Sequence, residues 1–360
     1  MNPEEDSRAM AQALQLAERG RTSTHPNPRV GCVIVRDGII VGQGYHERAG
    51  LAHAEVMALR DAGERARTAT AYVTLEPCCH TGRTPPCTDA LLAAGISRVV
   101  VAMEDPDPRV AGGGIARLRA AGLVVDTGVM EAAARTLNRG FISRLTRRRP
   151  FVRAKVGASL DGRTALATGE SQWITGPEAR ADVQRLRAES SAIMTGIGTV
   201  VADDPALTVR PTPLRVPQRI IVDSRLRIAD DAAVLRPAGE AIVATITDTG
   251  PRAEELRAAG VHVVAAGSHE GGVDLAVLME RLAAMNINDV LVEAGPQLTG
   301  SLIRRHLIDE LVVYMAPSLL GCGQPIAALR LERLADQSRW RYVQVRQIGS
   351  DLRIVLSPGE

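Results

Sequence analysis

The chain has 360 residues, 45% hydrophobic but only 2% aromatic, enough for two cores built mostly of aliphatic side chains. Its 43 basic and 41 acidic residues leave a net charge of +2, which argues against any bulk attraction to nucleic acid or membrane. The start, Met1-Asn2-Pro3-Glu4-Glu5-Asp6, is acidic with no apolar stretch behind it, which argues against a secretory signal, and the longest apolar runs are too short to span a bilayer.

Helical spacing over 7–19, stopped by Gly20, predicts a first helix. Residues 30–35 and 39–41 are β-rich and flank Asp37-Gly38, a tight hairpin signal. Helices are predicted over 53–60 and 86–94, with strands at 71–75 and 99–102. Gly112-Gly113-Gly114 reads as a turn, and another helix closes at 118–122 before Val124-Val125. Arg147-Arg148-Arg149 and Pro150 read as a solvated boundary. Beyond it, strands are predicted at 151–156, 192–195, 219–222, 241–245, 261–264, 290–293 and 311–316. Helices are predicted at 177–187, 252–259, 274–284 and 297–306, and 342–356 reads as a closing hairpin. Strands alternating with helices make both halves α/β, with domains at 1–147 and 148–360.

Three of the five cysteines, Cys78, Cys79 and Cys87, fall within ten positions. That clustering suits a cytosolic metal site better than a disulfide framework. His53-Ala54-Glu55 opens a predicted helix, and Pro77-Cys78-Cys79-His80 and Pro86-Cys87 follow. A catalytic zinc site takes three imidazole or thiolate ligands and leaves one position for water. His53 with two cysteines is such a set. From spacing alone the third ligand could be Cys79 or His80, but adjacent residues rarely both reach one metal with good geometry, which favours Cys87. Glu55 can face the same water without ligating, as a proton shuttle. Cys78 and Cys87 each precede a helical pattern, where a thiolate is favoured. A closed four-ligand structural site would leave Glu55 without a purpose.

Lys155 is the single lysine among 42 arginines, so a compact, titratable point charge is expected to matter there. No Gly-x-Gly-x-x-Gly follows a strand. Instead Glu293 ends a strand, Gly295-Pro296 turns, and a helix starts near Gln297, where free N–H groups suit a pyrophosphate. Gly196-Ile197-Gly198-Thr199 reads as a second close-approach loop.

These motifs resemble a known family. Thr24-His25-Pro26-Asn27-Pro28-Arg29-Val30-Gly31, His53-Ala54-Glu55-Val56, Thr74-Leu75-Glu76-Pro77-Cys78 and Gly82-Arg83-Thr84-Pro85-Pro86-Cys87 resemble the deaminase half of the bifunctional deaminase–reductases of bacterial riboflavin biosynthesis. Lys155 through Arg163, Gly169 through Thr175, Ala202-Asp203-Asp204-Pro205 and Val292 through Pro296 resemble the reductase half, so the resemblance covers nearly the whole chain in order. It implies a cytidine-deaminase-like three-layer domain followed by a dihydrofolate-reductase-like α/β domain. It implies zinc on His53, Cys78 and Cys87 with Glu55 as shuttle, and deaminase substrate contacts at Asn27, His46, His80, Arg83 and Asp105. It implies NADPH contacts at Gly157, Trp173, Thr199, Asp203 and Gly295, Pro296, Gln297, Leu298, Thr299, Gly300 and Ser301. Reductase substrate contacts fall on Ser171, Arg187, Leu207, Arg210 and Glu293, with Lys155 near the ribose. This chain has Asp107 where the family commonly has Asn, and Cys79 where it commonly has Ser. The implied partner is a small pyrimidine ribosyl phosphate, neither nucleic acid nor membrane, handled by a cytoplasmic homo-oligomer, a dimer or tetramer. The rivals are another zinc deaminase, for a base, nucleotide or tRNA, joined to an unrelated domain, and a non-catalytic zinc module.

Overall fold

The computed structural model describes residues 3–81, 85–108, 110–211, 214–237 and 239–359. They divide into two units, Met1–Arg147 and Arg148–Glu360.

In the first unit β1 (Gly31–Arg36) and β2 (Ile39–Tyr45) form the hairpin that Asp37-Gly38 predicts, with both turn residues at positive φ, 51° and 76°. β3 (Thr70–Val73), β4 (Arg98–Val101) and β5 (Val124–Thr127) complete a sheet of order β2-β1-β3-β4-β5. β1 is antiparallel to both neighbours, whereas β3, β4 and β5 run parallel. The period-2 alternation of the strands sorts the two faces. Cys32, Ile34, Ala71, Val73, Val99 and Val101 point to one face, where α2 (Ala54–Ala62), α3 (Cys87–Ala93) and α4 (Gly113–Ala120) pack. Val33, Tyr72 and Val100 point to the other, against α1 (Pro3–Glu18) and α5 (Glu131–Leu137), and α6 (Arg139–Arg147) ends the unit. The result is a three-layer α/β/α unit. Neither α5 nor α6 is predicted from the sequence: α5 is seven residues long and buries only Ala134 and Leu137, too few to set a period. β2 runs four residues past its predicted end because Gly42 and Gly44 look like breakers. They are instead the close approach to α2: a Cβ at Gly44 would stand 2.5 Å from the Ala58 nitrogen.

In the second unit a nine-stranded sheet is built from β6 (Phe151–Ser159), β8 (Ala192–Gly196), β9 (Gln218–Val222), β10 (Ala241–Thr245), β11 (His262–Ala265), β14 (Asp289–Val292), β15 (Glu310–Ala316), β17 (Trp340–Ile348) and β18 (Asp351–Pro358). β7 (Arg163–Leu166) pairs with β16 (Gly323–Pro325), and β12 (Ser268–His269) with β13 (Gly272–Val273), outside it. The order is β11-β10-β9-β8-β14-β6-β15-β18-β17, parallel from β11 to β15 and antiparallel at β18 and β17. α10 (Leu275–Ala284) and α11 (Pro296–Arg304) pack on one face. α7 (Pro177–Glu189), α8 (Ile197–Asp203) and α9 (Pro251–Ala258) pack on the other. α8 corrects the sequence reading of residues 196–199. They are not a loop: Gly196 is the N-cap, and Ile197 and Val200 bury one face of the helix. Two glycines within three residues masked that period. Gly113 and Gly114 likewise open α4 rather than a turn, with only Gly112 left-handed, at φ 76°.

Candidate active sites of the two units

His53 is the N-cap of α2, and Glu55 lies in its first turn, 3% exposed. Cys87 opens α3. The ligand atoms of His53, Cys78 and Cys87 all lie within 4.8 Å of one another; Cys79 and His80 are outside this cluster. His53 Nδ1 is 3.2 Å from Cys87 Sγ and 3.6 Å from Cys78 Sγ. Zinc bonds of about 2.0 and 2.3 Å at tetrahedral angles would separate N from S by about 3.5 Å, so the donor set fits that metal. Cys78 does not open a helix, contrary to expectation: among the described residues the next helix after it is α3, which opens at Cys87. The N-terminal field reaches it all the same, because the Cys87 N–H, first in α3, donates to Cys78 Sγ at 3.3 Å. The hydrogen bond from the Cys87 thiol, then that from His53, draw Cys78 down to about 4, while the same sharing and burial hold the proton on Cys87. A cation at this point takes that proton's place.

Burial pushes the Glu55 carboxyl up to about 7. Such a group can hold or release a proton near neutrality. Beside it, the His46 and His53 rings meet edge to face at 5.4 Å. His46 is 3% exposed, and burial lowers its pKa, favouring the neutral ring. Its Nδ1–H donates to the Ala52 carbonyl at 3.2 Å, which leaves Nε2 to accept from the Asn27 amide at 3.0 Å. Asp105 is half-buried and raised to about 6, chiefly by burial. His80 is exposed, and Arg83 lies outside the described residues.

The second unit holds a cavity of 1530 Å³. Lys155, Gly157, Ser171, Trp173, Arg187, Thr199, Asp203, Leu207, Arg210, Glu293, Gly295, Pro296, Gln297, Leu298 and Ser301 all line it. Thr299 and Gly300 do not, against expectation. Helical periodicity turns them inward: Thr299 is 1% exposed, and a Cβ at Gly300 would stand 2.5 Å from the Ala328 carbonyl oxygen. At the end of β14, Glu293 accepts from Arg187 Nε at 2.5 Å, Arg187 Nη2 at 3.0 Å and Lys155 Nζ at 3.3 Å. Burial pushes its pKa up, but the two cations outweigh that and hold it at about 2. The α11 start fits the pyrophosphate of a dinucleotide: it has no side-chain cap, and Pro296 occupies its first turn. The Thr199 hydroxyl fixes it from α8 by accepting the Gly295 N–H at 3.1 Å. Trp173 is 69% exposed over the cavity, with the Arg180 guanidinium 4.6 Å from its ring. Sequence reasoning missed Ser224, Arg304, Arg305 and Tyr314 in the lining. Arg304 and Arg305 continue the Ser301 face of α11 at three and four residues, a signal that was available. Tyr314 reaches the site only through the pairing of β15 with β6, opposite Gly157.

Residues 3–103 match the cytidine and deoxycytidylate deaminase zinc-binding region, and residues 150–354 match the RibD C-terminal domain. The Escherichia coli riboflavin biosynthesis protein RibD is 51% identical over 97% of this chain and 98% of its own length. The chain belongs to the RibD family. The solved structure of Acinetobacter baumannii RibD superposes with a TM-score of 0.94, at 44% identity over the full length of both chains. The solved structure of a diaminohydroxyphosphoribosylaminopyrimidine deaminase/5-amino-6-(5-phosphoribosylamino)uracil reductase from Thermotoga maritima gives a TM-score of 0.88 at 32% identity over 99% of each chain. As a RibD chain, this protein is a bifunctional enzyme of riboflavin biosynthesis, a zinc deaminase followed by an NADPH-dependent reductase. The rival with an unrelated second domain is not favoured, since a RibD reductase domain occupies that half. Among the described residues no helix is long and apolar enough to cross a membrane.

Proposed function

We propose that the chain catalyses two consecutive steps. Water first displaces the 2-amino group of 2,5-diamino-6-ribosylamino-4(3H)-pyrimidinone 5′-phosphate, releasing ammonia. The ribosyl chain of the resulting 5-amino-6-(5-phosphoribosylamino)uracil is then reduced to ribityl. The observation that carries this reading is the His53, Cys78 and Cys87 cluster beside buried Glu55, in a chain whose other half is a reductase domain.

Zinc, held by His53, Cys78 and Cys87, supplies a water acidic enough to be deprotonated near neutral pH. Glu55 takes that proton on its carboxylate and delivers it to the departing amine. Asn27 and His46 orient the pyrimidine, and Asp105, His80 and Arg83 complete the contacts. NADPH, held at Gly157, Trp173, Thr199, Asp203 and the α11 segment Gly295 to Ser301, supplies a hydride. Within that segment Thr299 and Gly300 act by packing rather than contact. Lys155 Nζ hydrogen-bonds the sugar oxygens as C1′ is reduced. Glu293 holds Lys155 and Arg187 in place, and Arg187, Arg210, Ser171 and Leu207 seat the sugar phosphate. The domains are taken as 1–147 and 148–360, and the protein as cytoplasmic. We take it to be a homo-oligomer, because β17 is an edge strand that exposes Tyr342, Val343 and Val345.

The test is one paired assay: zinc-loaded protein with the diaminopyrimidine ribosyl phosphate, with and without NADPH, following ammonia and NADPH absorbance together. Ammonia in both tubes with NADPH consumed behind it is expected. No ammonia would overturn the substrate assignment, and ammonia without NADPH loss would overturn the second step.

A further inference from the structure

β3 ends at Val73, and the chain passes through Thr74, Leu75, Glu76 and Pro77 before reaching Cys78. Glu76 is 3% exposed, and its carboxylate accepts four backbone N–H groups. Oε1 takes those of Gly114 at 2.8 Å and Ile115 at 3.1 Å, in the first turn of α4. Oε2 takes those of Gly112 at 2.9 Å and Asp105 at 3.1 Å. α4 needs an outside acceptor, because its N-cap is Gly112, which has no side chain to cap with. Oε1 alone meets that need. Oε2 does something else: it ties Asp105 and Gly112 to the strand end that leads to Cys78. The closure is tight, since a Cβ at Gly114 would stand 2.0 Å from the Pro77 carbonyl oxygen. The Glu76 N–H also donates to the Met103 carbonyl at 3.0 Å, fixing the segment two residues before Asp105. Asp105 in turn has its carboxylate held by the Asp107 N–H at 2.8 Å, and it lies within the electrostatic reach of Cys78.

We propose that Glu76 is a positioning residue of the deaminase, which fixes the backbone at Asp105 and Gly112 so that the Asp105 carboxylate faces the pyrimidine beside the metal ligands. This rests on the reading of Asp105 as a substrate contact. Four N–H donors on one carboxylate make the geometry depend on both oxygens being acceptors. In Glu76→Gln the amide oxygen serves one pair, and its NH₂ faces the donors of the other.

The experiment uses the full, zinc-loaded chain and the variants Glu76→Gln, Asp105→Asn and the double variant. Glu76→Gln is expected to raise KM for the diaminopyrimidine ribosyl phosphate by ~10-fold or more, with kcat changed by less than ~3-fold. Zinc should stay at one per chain, and reductase kcat should be unchanged. If Glu76 acts through Asp105, adding Glu76→Gln to Asp105→Asn costs less than ~2-fold more. A wild-type KM in Glu76→Gln while Asp105→Asn responds, or fully additive effects, overturns the proposal. Zinc loss in step with activity also overturns it, making Glu76 a support of the metal loop. An unchanged KM in Asp105→Asn removes the underlying reading, and the proposal falls with it. Hydrogen exchange on the unaltered protein covers the case where the variant does not fold. The amides of Asp105, Gly112, Gly114 and Ile115 should exchange at least ~100-fold slower than free chain. Fast exchange at Asp105 and Gly112 overturns the role of Oε2.

Discussion

Glu293 keeps its charge inside the reductase unit only because Lys155 and Arg187 sit against it. Neutralising it in Glu293→Gln leaves two cations facing each other and should cost about 3 kcal/mol of stability at neutral pH. Its folded pKa of about 2 is below the 4.5 of an unconstrained glutamate. A carboxylate so depressed stabilises fully above pH 4.5 and loses that contribution as pH falls from there through about 2. The difference in melting temperature between wild type and Glu293→Gln should therefore be constant above pH 4.5 and shrink below it. Both tryptophans, Trp173 and Trp340, lie in this unit, so their fluorescence follows it alone; a gap that does not change with pH would refute the assignment. At the deaminase, Glu55→Gln should lower kcat by ~10²–10⁴-fold while zinc content and reductase rate hold, checked by metal analysis and the two assays. His53, Cys78 and Glu55 were legible because they follow a spacing, whereas Cys87 was favoured over Cys79 and His80 only by the poor geometry of adjacent ligands. The Glu293 partnership was not, because Arg187 is 106 positions away and is one of 42 arginines.

At the scale of elements, α2 carries both His53 and Glu55, and its place is set by the glycines of β2. Gly44→Ala would push α2 off the sheet, since the added methyl meets backbone at Ala58 and Ala54 and not a movable side-chain end. About 1–3 kcal/mol of lost stability is expected. Weaker zinc retention should follow, read by competition with a chelator against wild type. A stable variant with undiminished zinc affinity would show that α2 can shift without disturbing its ligands. The same glycines explain where the sequence misled. Period and turn chemistry gave the central strands and the long helices. Gly42, Gly44, Gly113, Gly114 and the pair Gly196 and Gly198 carry no period, so the last four residues of β2, the start of α4 and α8 could be seen only once the packing partners were in place. α11 shows the converse: its start was legible from Glu293, Gly295 and Pro296, but which of its residues face the cavity depends on Ala328, which a linear reading cannot bring near.

For the whole molecule, the edge of the nine-stranded sheet is the feature that bears on assembly. β17 mixes Arg341, Arg346 and Gln347 with exposed Tyr342, Val343 and Val345, a partly charged edge that still leaves apolar area uncovered. If a second copy covers it, Val345→Lys should shift the mass measured by light scattering toward the monomer at micromolar concentration; an unchanged mass would move the interface elsewhere. The motifs and the family resemblance were legible across both units, whereas the place of β17 at the sheet edge was not, because an edge strand and a central strand read alike until their neighbours are known.

The lone lysine has a practical consequence. An amine-directed acylating reagent has only two targets on this chain, the N-terminal amine and Lys155, and Lys155 is 22% exposed at the side chain and tied to Glu293. The protein thus comes with a single-site chemical reporter already mounted inside one cavity. Mass spectrometry after brief labelling would count adducts directly, and the second adduct should slow when the dinucleotide is added. Occupancy of the reductase could then be read without turnover, in the presence of an active deaminase.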